Sequence, residues 1–139
     1  MKIESKGGTQ FLVLNVENEK NLNPYRINIS EIRYIREYMS REGTDGLAIF
    51  VGSKMLHTRE DIKEELGFTF ENGIDVKIGD AKFYCVKGSG LTEKEYTFHL
   101  INTKKILYTR KFIPNGDKEE SDKFAVITVD ERIIQIDKF

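Results

Sequence analysis

The sequence predicts a mainly antiparallel β protein, an α+β chain with one short helix, and three observations carry that expectation. A ten-residue stretch occurs twice, 74 positions apart, as Ile27-Asn28-Ile29-Ser30-Glu31-Ile32-Arg33-Tyr34-Ile35-Arg36 and as Ile101-Asn102-Thr103-Lys104-Lys105-Ile106-Leu107-Tyr108-Thr109-Arg110. Five positions are identical: Ile27/Ile101, Asn28/Asn102, Ile32/Ile106, Tyr34/Tyr108 and Arg36/Arg110. Runs of strand-forming residues recur at short intervals between Gly, Asn and Asp clusters. One segment alone carries a helix-start signature. Because an internal repeat constrains architecture before any local assignment, the expectation is a single domain, 1–139, made of two fused antiparallel β-repeats related by pseudo-symmetry. The first repeat, 1–67, includes the helix, and the second is 68–139.

Taken in order, the chain has an irregular start that ends at Gly7-Gly8, then a first strand over Gln10 to Val16. Glu17 to Pro24 is a loop ending in the turn signal Asn23-Pro24. From Tyr25 alternation resumes, Ser30-Glu31 marks a kink, and Ile32, Tyr34, Arg36 and Tyr38 share one face. Asp45-Gly46 is a hairpin signature leading into Leu47 to Val51, an apolar run without alternation and so covered on both faces. After Gly52-Ser53 comes a short strand, Lys54 to His57. Thr58-Arg59-Glu60-Asp61 places an N-cap hydroxyl three residues before a carboxylate, which predicts a helix over about 58–66 closed by Gly67. Ile74 to Ile78 is a strand between Asn72-Gly73 and Gly79-Asp80 turns. Lys82 to Lys87, Tyr96 to Ile101, Ile106 to Ile113, Phe124 to Val129 and Arg132 to Ile136 follow as strands, with Gly88-Ser89-Gly90 as a turn and a charged loop from Pro114 to Lys123. The last strand ends near the terminus, which predicts either a sheet edge or pairing with a partner, a homodimer being one such pairing.

Composition narrows the function classes. The chain is 39% hydrophobic and 32% charged with a net charge of -1, and residues 1–70 carry ten basic and eleven acidic side chains against twelve and twelve in the remainder. No global electrostatic footprint for nucleic acid or an anionic membrane results. The lone Cys85 fits a reducing compartment, the Met1-Lys2-Ile3-Glu4-Ser5-Lys6 start lacks a signal-peptide core, and no apolar run approaches a membrane span. The expected location is the cytoplasm, or the host cytoplasm if the chain is phage-encoded. Its Lys-, Ile- and Asn-rich composition suits a small accessory or phage-type protein.

Catalytic patterns are missing. His57 and His99 have no neighbouring nucleophile or ligand spacing, and Cys85 lies in an apolar strand, the setting of structural thiols. Gly88-Ser89-Gly90 is too short for a nucleophile elbow. Asp117, Glu119, Glu120 and Asp122 lack the spacing and central glycine of a calcium loop. No catalytic residue, metal site or cofactor is therefore expected. The candidates for binding are the repeated pairs Tyr34/Arg36 and Tyr108/Arg110. If the repeats face one another, two guanidinium groups and two phenols would converge on a carboxylate or phosphate. A second group, Lys104, Lys105, Arg110 and Lys111, suits a nucleic-acid backbone, although alternation spreads it over two faces.

The segment Ile27 to Leu66 has an Ile-x-x-Ile-x-Tyr-Ile core, a loop, a strand, a Gly-Ser turn and Thr-Arg-Glu-Asp-Ile-Lys-Glu-Glu-Leu. It resembles the LytTR-type DNA-binding domain and is similar to the short FlbD-type β proteins. Phe98-His99-Leu100-Ile101-Asn102-Thr103-Lys104-Lys105-Ile106 likewise resembles the His-x-Ser-x-x-Val-Asn segment of LytTR domains. The resemblance implies a β-rich fold and a DNA-binding regulator as the alternative function. The favoured expectation from the residues is a non-catalytic module that recognises a protein partner or a small anionic ligand.

Overall fold

Gly7 and Gly8 adopt φ of 58° and 81°, left-handed values that glycine reaches without strain, and they fold Lys2–Lys6 (β1) back onto Thr9–Leu14 (β2). The stretch before Gly8 is thus a strand rather than an irregular start. Its polar residues hide it from a propensity reading, and pairing with β2 along its whole length holds it. Tyr25–Asn28 (β3) pairs with the other side of β2 and completes a three-stranded sheet. The computed structural model describes residues 1–17, 24–40, 43–90, 97–111, 124–128 and 133–136, of which 39–40, 43–45, 90 and 124–128 are described as backbone alone. Most of the expected 17–24 loop and the charged 114–123 loop, with its four acids, lie outside the described residues.

The kink at Ser30-Glu31 is a 3-10 turn, Ile29–Glu31, in which the Asn28 Oδ1 accepts the Ser30 N–H at 3.1 Å. An Asn in this role, satisfying a donor that the turn itself leaves open, is worth about 1 kcal/mol. Ile32–Ser40 (β4), Gly43–Val51 (β5) and Lys54–Thr58 (β6) then form an antiparallel meander. Asp45-Gly46 does not turn this hairpin. The pairing continues out to Ser40 opposite Gly43, so Gly46, at φ 82°, lies inside β5 beside a shift in register. Its missing Cβ is what lets the Thr58 carbonyl approach.

The helix is shorter than expected, Ile62–Leu66 (α1), and its N-cap is Asp61, whose Oδ1 accepts the N–H groups of Lys63 at 3.1 Å and Glu64 at 3.3 Å. Thr58 is not the cap, because it is still paired with Leu47 in β6 and is fully buried. Gly67, left-handed at φ 72°, ends the helix as predicted. Ile74–Ile78 (β7) and Ala81–Gly90 (β8) make a second tight hairpin through Gly79-Asp80. Thr97–Asn102 (β9) leads into another 3-10 turn, Thr103–Lys105, where Asn102 Oδ1 accepts the Lys104 N–H at 3.2 Å. Ile106–Lys111 (β10), Phe124–Thr128 (β11) and Ile133–Ile136 (β12) complete the chain order.

Gly88-Ser89-Gly90 belongs to β8 rather than to a turn: Gly88 lies opposite Thr97 on one side and Ile136 on the other. A Cβ at Gly88 would lie 2.5 Å from the Gln135 carbonyl, so the glycine serves strand contact and not chain reversal. The long sheet has nine strands, in the order β10-β11-β12-β8-β9-β4-β5-β6, with β7 also on β8. β12 is therefore an interior strand, and the expected edge is displaced to β10. A homodimer through the terminal strand loses its basis.

Two β-bulges alter the faces. Ile32 lies opposite Val51 and Tyr34 opposite Phe50, leaving Arg33 as the extra residue; Ile106 and Tyr108 bracket Leu107 in the same way. The bulge at Arg33 reverses the alternation, so Ile32 joins Ile35 in one cluster while Tyr34 and Tyr38 belong to the other. The expected common face of Ile32, Tyr34, Arg36 and Tyr38 is thus broken at Ile32.

The clusters lie on opposite faces of the long sheet. Leu47, Ile49, Phe83, Cys85 and Leu100 pack with Leu12, Leu14 and Ile27 of the three-stranded sheet and with Ile62 of α1. Ala48, Phe50, Val86 and Ile101 point the other way and meet Ile134 and Ile136 of β12, with Ile106 of β10 against them. Strands β5, β8 and β9 are consequently covered on both sides, which accounts for apolar runs such as Leu47 to Val51.

Candidate functional site at the free edge of the long sheet

The repeated Tyr/Arg pairs occupy unlike surroundings. Tyr34 is buried and stacks on Phe50 with ring centroids 4.3 Å apart and planes 18° from parallel. The Arg36 guanidinium lies 5.6 Å from the Phe50 centroid, and that of Arg33, a buried side chain, lies at 6.0 Å. The first pair belongs to a packed aromatic and guanidinium stack. Tyr108, 54% exposed, and Arg110 stand on the surface of β10, separated from β4 by four strands in the sheet order.

The basic group is likewise divided. Lys105 lies 3.4 Å from Glu31, its counterpart on the first 3-10 turn. Lys104 lines a cleft of about 250 Å³ with Asn28, Ser30, Asn102, Gln10 and Asp80. There the two hairpin turns touch, the Asp80 N–H donating to Gln10 Oε1 at 2.7 Å. One ammonium and one carboxylate leave that cleft without a net charge among its named side chains. Arg110 and Lys111 sit at the far end of β10, about 16 Å along the strand at roughly 3.3 Å per residue.

His99, His57 and Cys85 each sit in packed surroundings. His99 is buried with Nδ1 2.9 Å from the Thr97 carbonyl, which places a proton on that nitrogen, and His57 stacks on Tyr38 at 4.0 Å. Burial pushes the Cys85 thiol above its ordinary value, and the carboxylates of Glu37 and Glu71 add to the rise. A thiol held protonated is a poor nucleophile. Among the described residues no three metal-ligating side chains cluster, and no helix is long and apolar enough to cross a membrane.

β10 remains. It pairs with β11 on one side and with no strand on the other among the described residues. Of three large hydrophobic side chains exposed among those residues, Leu107 and Tyr108 are both on this strand, at 53% and 54%. Every residue of β10 from Leu107 to Lys111 is exposed, so both faces of this strand meet solvent, and Leu107 is the extra residue of a bulge. Two other edges, β1 and β6, are guarded. β1 carries Lys2 and Lys6 bonded to Glu4, a charged rim of the kind that resists pairing. β6 is touched by the Glu17 main chain, whose N–H donates to the His57 carbonyl at 2.7 Å. Leu107 escapes sequence reasoning because Ile106-Leu107-Tyr108 looks like any core strand; only the strand order shows that no described strand lies beyond it.

A scan against protein-family models, a search of curated proteins and a search of solved structures each return no match for this chain.

Proposed function

We propose that the protein is a non-catalytic binding module that takes an extended segment of a protein partner onto the free edge of β10. The observation that carries this reading is an edge that no described strand pairs, bearing Leu107 and Tyr108 side by side at more than half exposure. Main-chain bonds along an edge supply affinity, and side chains alternating from it supply selectivity. Leu107 and Tyr108 offer apolar area, and Arg110 and Lys111 add positive charge at the end of the strand.

The test is capture of a stoichiometric partner from lysate by the full chain and by a Leu107→Lys/Tyr108→Lys double variant. Both substitutions are at exposed positions and leave the melting midpoint unchanged. Loss of the captured band in the variant is the expected result; equal capture by both proteins sinks the proposal. A parallel titration with duplex DNA addresses the LytTR-like alternative. Binding that falls steeply with salt and disappears in Lys104→Ala/Lys105→Ala would move the function to that basic group.

A further inference from the structure

The long sheet contains a seam in which β4 pairs with β9, matching Tyr34 with Ile101, Ile35 with Leu100 and Arg36 with His99. The seam is clamped by Asn102, whose Nδ2 donates to the Ile32 carbonyl at 2.8 Å. Every residue in this seam has a counterpart 74 positions away in the other half of the chain. The counterparts share backbone detail. Asn28 and Asn102 both cap 3-10 turns, at φ -62° and -64° and ψ 112° and 113°. Arg33 and Leu107 are both the extra residues of bulges. The bond from Glu17 to His57 occupies the place that Ser89 opposite Gln135 occupies in the β8 and β12 pairing.

Moving the β4 and β9 seam to its counterparts places Tyr108 opposite Ile27, Thr109 opposite Arg26 and Arg110 opposite Tyr25. Among the described residues that second seam is not made: β3 pairs only with β2, and β10 only with β11. Its clamp is also idle. Asn28 accepts from the Ser30 N–H and hydroxyl, but its Nδ2 donates to nothing among the described residues, whereas the equivalent donor of Asn102 holds Ile32.

We infer that the partner of the β10 edge is a second copy of this chain, whose β3 edge pairs with β10 in the register of the internal β4 and β9 seam. The inference rests on the binding role proposed for β10 and names the occupant. In the joined pair Asn28 of one copy reaches the Ile106 carbonyl of the other. Tyr108 covers the outer side of Ile27 and Tyr25, as Tyr34 now sits 5.9 Å from His99. Arg110 lies over Tyr25 on the same face. Each molecule carries one β10 edge and one β3 edge that no described strand pairs, so the pairing closes a two-fold dimer or continues head to tail.

The register gives a specific test. The full chain, run in sedimentation velocity over a rising concentration series, is expected to show mass above the monomer. Thr109→Arg, which sets a like charge against Arg26, returns it to monomer, and Thr109→Arg mixed with Arg26→Glu restores association. In a second arm, Thr109→Cys protein mixed with Arg26→Cys protein forms a disulfide-linked pair under mild oxidation, while Thr109→Cys mixed with Lys2→Cys does not; native Cys85 is buried and does not interfere. A chain that is monomeric throughout and gives no 26-to-109 cross-link overturns the inference, and so does an oligomer indifferent to Thr109→Arg. Lysate capture that depends on Leu107 and Tyr108 would then still stand for the binding role. If that dependence is also missing, both fail.

Discussion

Arg36 and Arg110 occupy equivalent places in the repeated stretch and have opposite fates, which makes them informative as a pair. Arg36 is half-buried and its guanidinium lies over Phe50, so removing it gives up a desolvated cation–π contact and the packing of its stem. Arg36→Ala is expected to cost about 1 kcal/mol, a fall of about 3 °C in the melting midpoint for a chain of this size. Arg110 is exposed and, among the described residues, its Nη1 reaches only the neighbouring Lys111 carbonyl, at 3.4 Å. Arg110→Ala leaves the midpoint unchanged within error and weakens partner capture. Differential scanning calorimetry on the two variants checks both halves of the expectation; equal midpoints would mean that the Phe50 stack contributes nothing. The identity of Tyr34 and Tyr108 was legible in the sequence, but their environments were not. Both sit two residues after an isoleucine, and only the third dimension supplies Phe50 to one and solvent to the other.

At the level of elements, local chemistry predicted what local chemistry controls. Gly67 closes the helix, Gly79-Asp80 turns a hairpin, and Ser30-Glu31 interrupts a strand, because each requirement is met within three or four residues. The misread segments are those where a distant strand sets the rule. Gly46 and Gly88 look like turn residues but serve the close approach of Thr58 and Gln135. Thr58 looks like a cap but remains in a strand because Leu47 holds it there. Gly88→Ala therefore tests strand approach rather than turn chemistry. Placing a methyl 2.5 Å from the Gln135 carbonyl forces β12 from β8, and overpacking of this kind costs about 1–3 kcal/mol. Hydrogen exchange should show faster exchange at residues 134–136 with β4 and β5 unaffected. A turn role would leave 134–136 protected.

For the whole molecule, the mainly β class with one helix was legible in the alternating runs and their glycine and asparagine punctuation, and the structure has that class. The strand order was not legible, since antiparallel neighbours such as β4 and β9 lie far apart in sequence and alternation carries no record of which run sits beside which. This order also binds the first and second stretches of the chain into shared cores. The cluster beneath the three-stranded sheet draws Ile32, Ile35 and Ile49 from before Gly67 and Phe83, Cys85 and Leu100 from after it. Neither fragment, 1–67 or 68–139, can bury its own apolar surface, so each alone is expected to lack a cooperative melting transition in circular dichroism. Two independent transitions would contradict the shared core.

The same arrangement makes the fragments mutual templates. Each offers the other a bare β4 or β9 edge in a fixed register, together with the greasy half-surface that edge must cover. Combined in one tube, the pieces should reconstitute the parent's spectrum with no covalent link at residue 67, and fusing them to two test proteins would turn that reunion into a reporter of proximity.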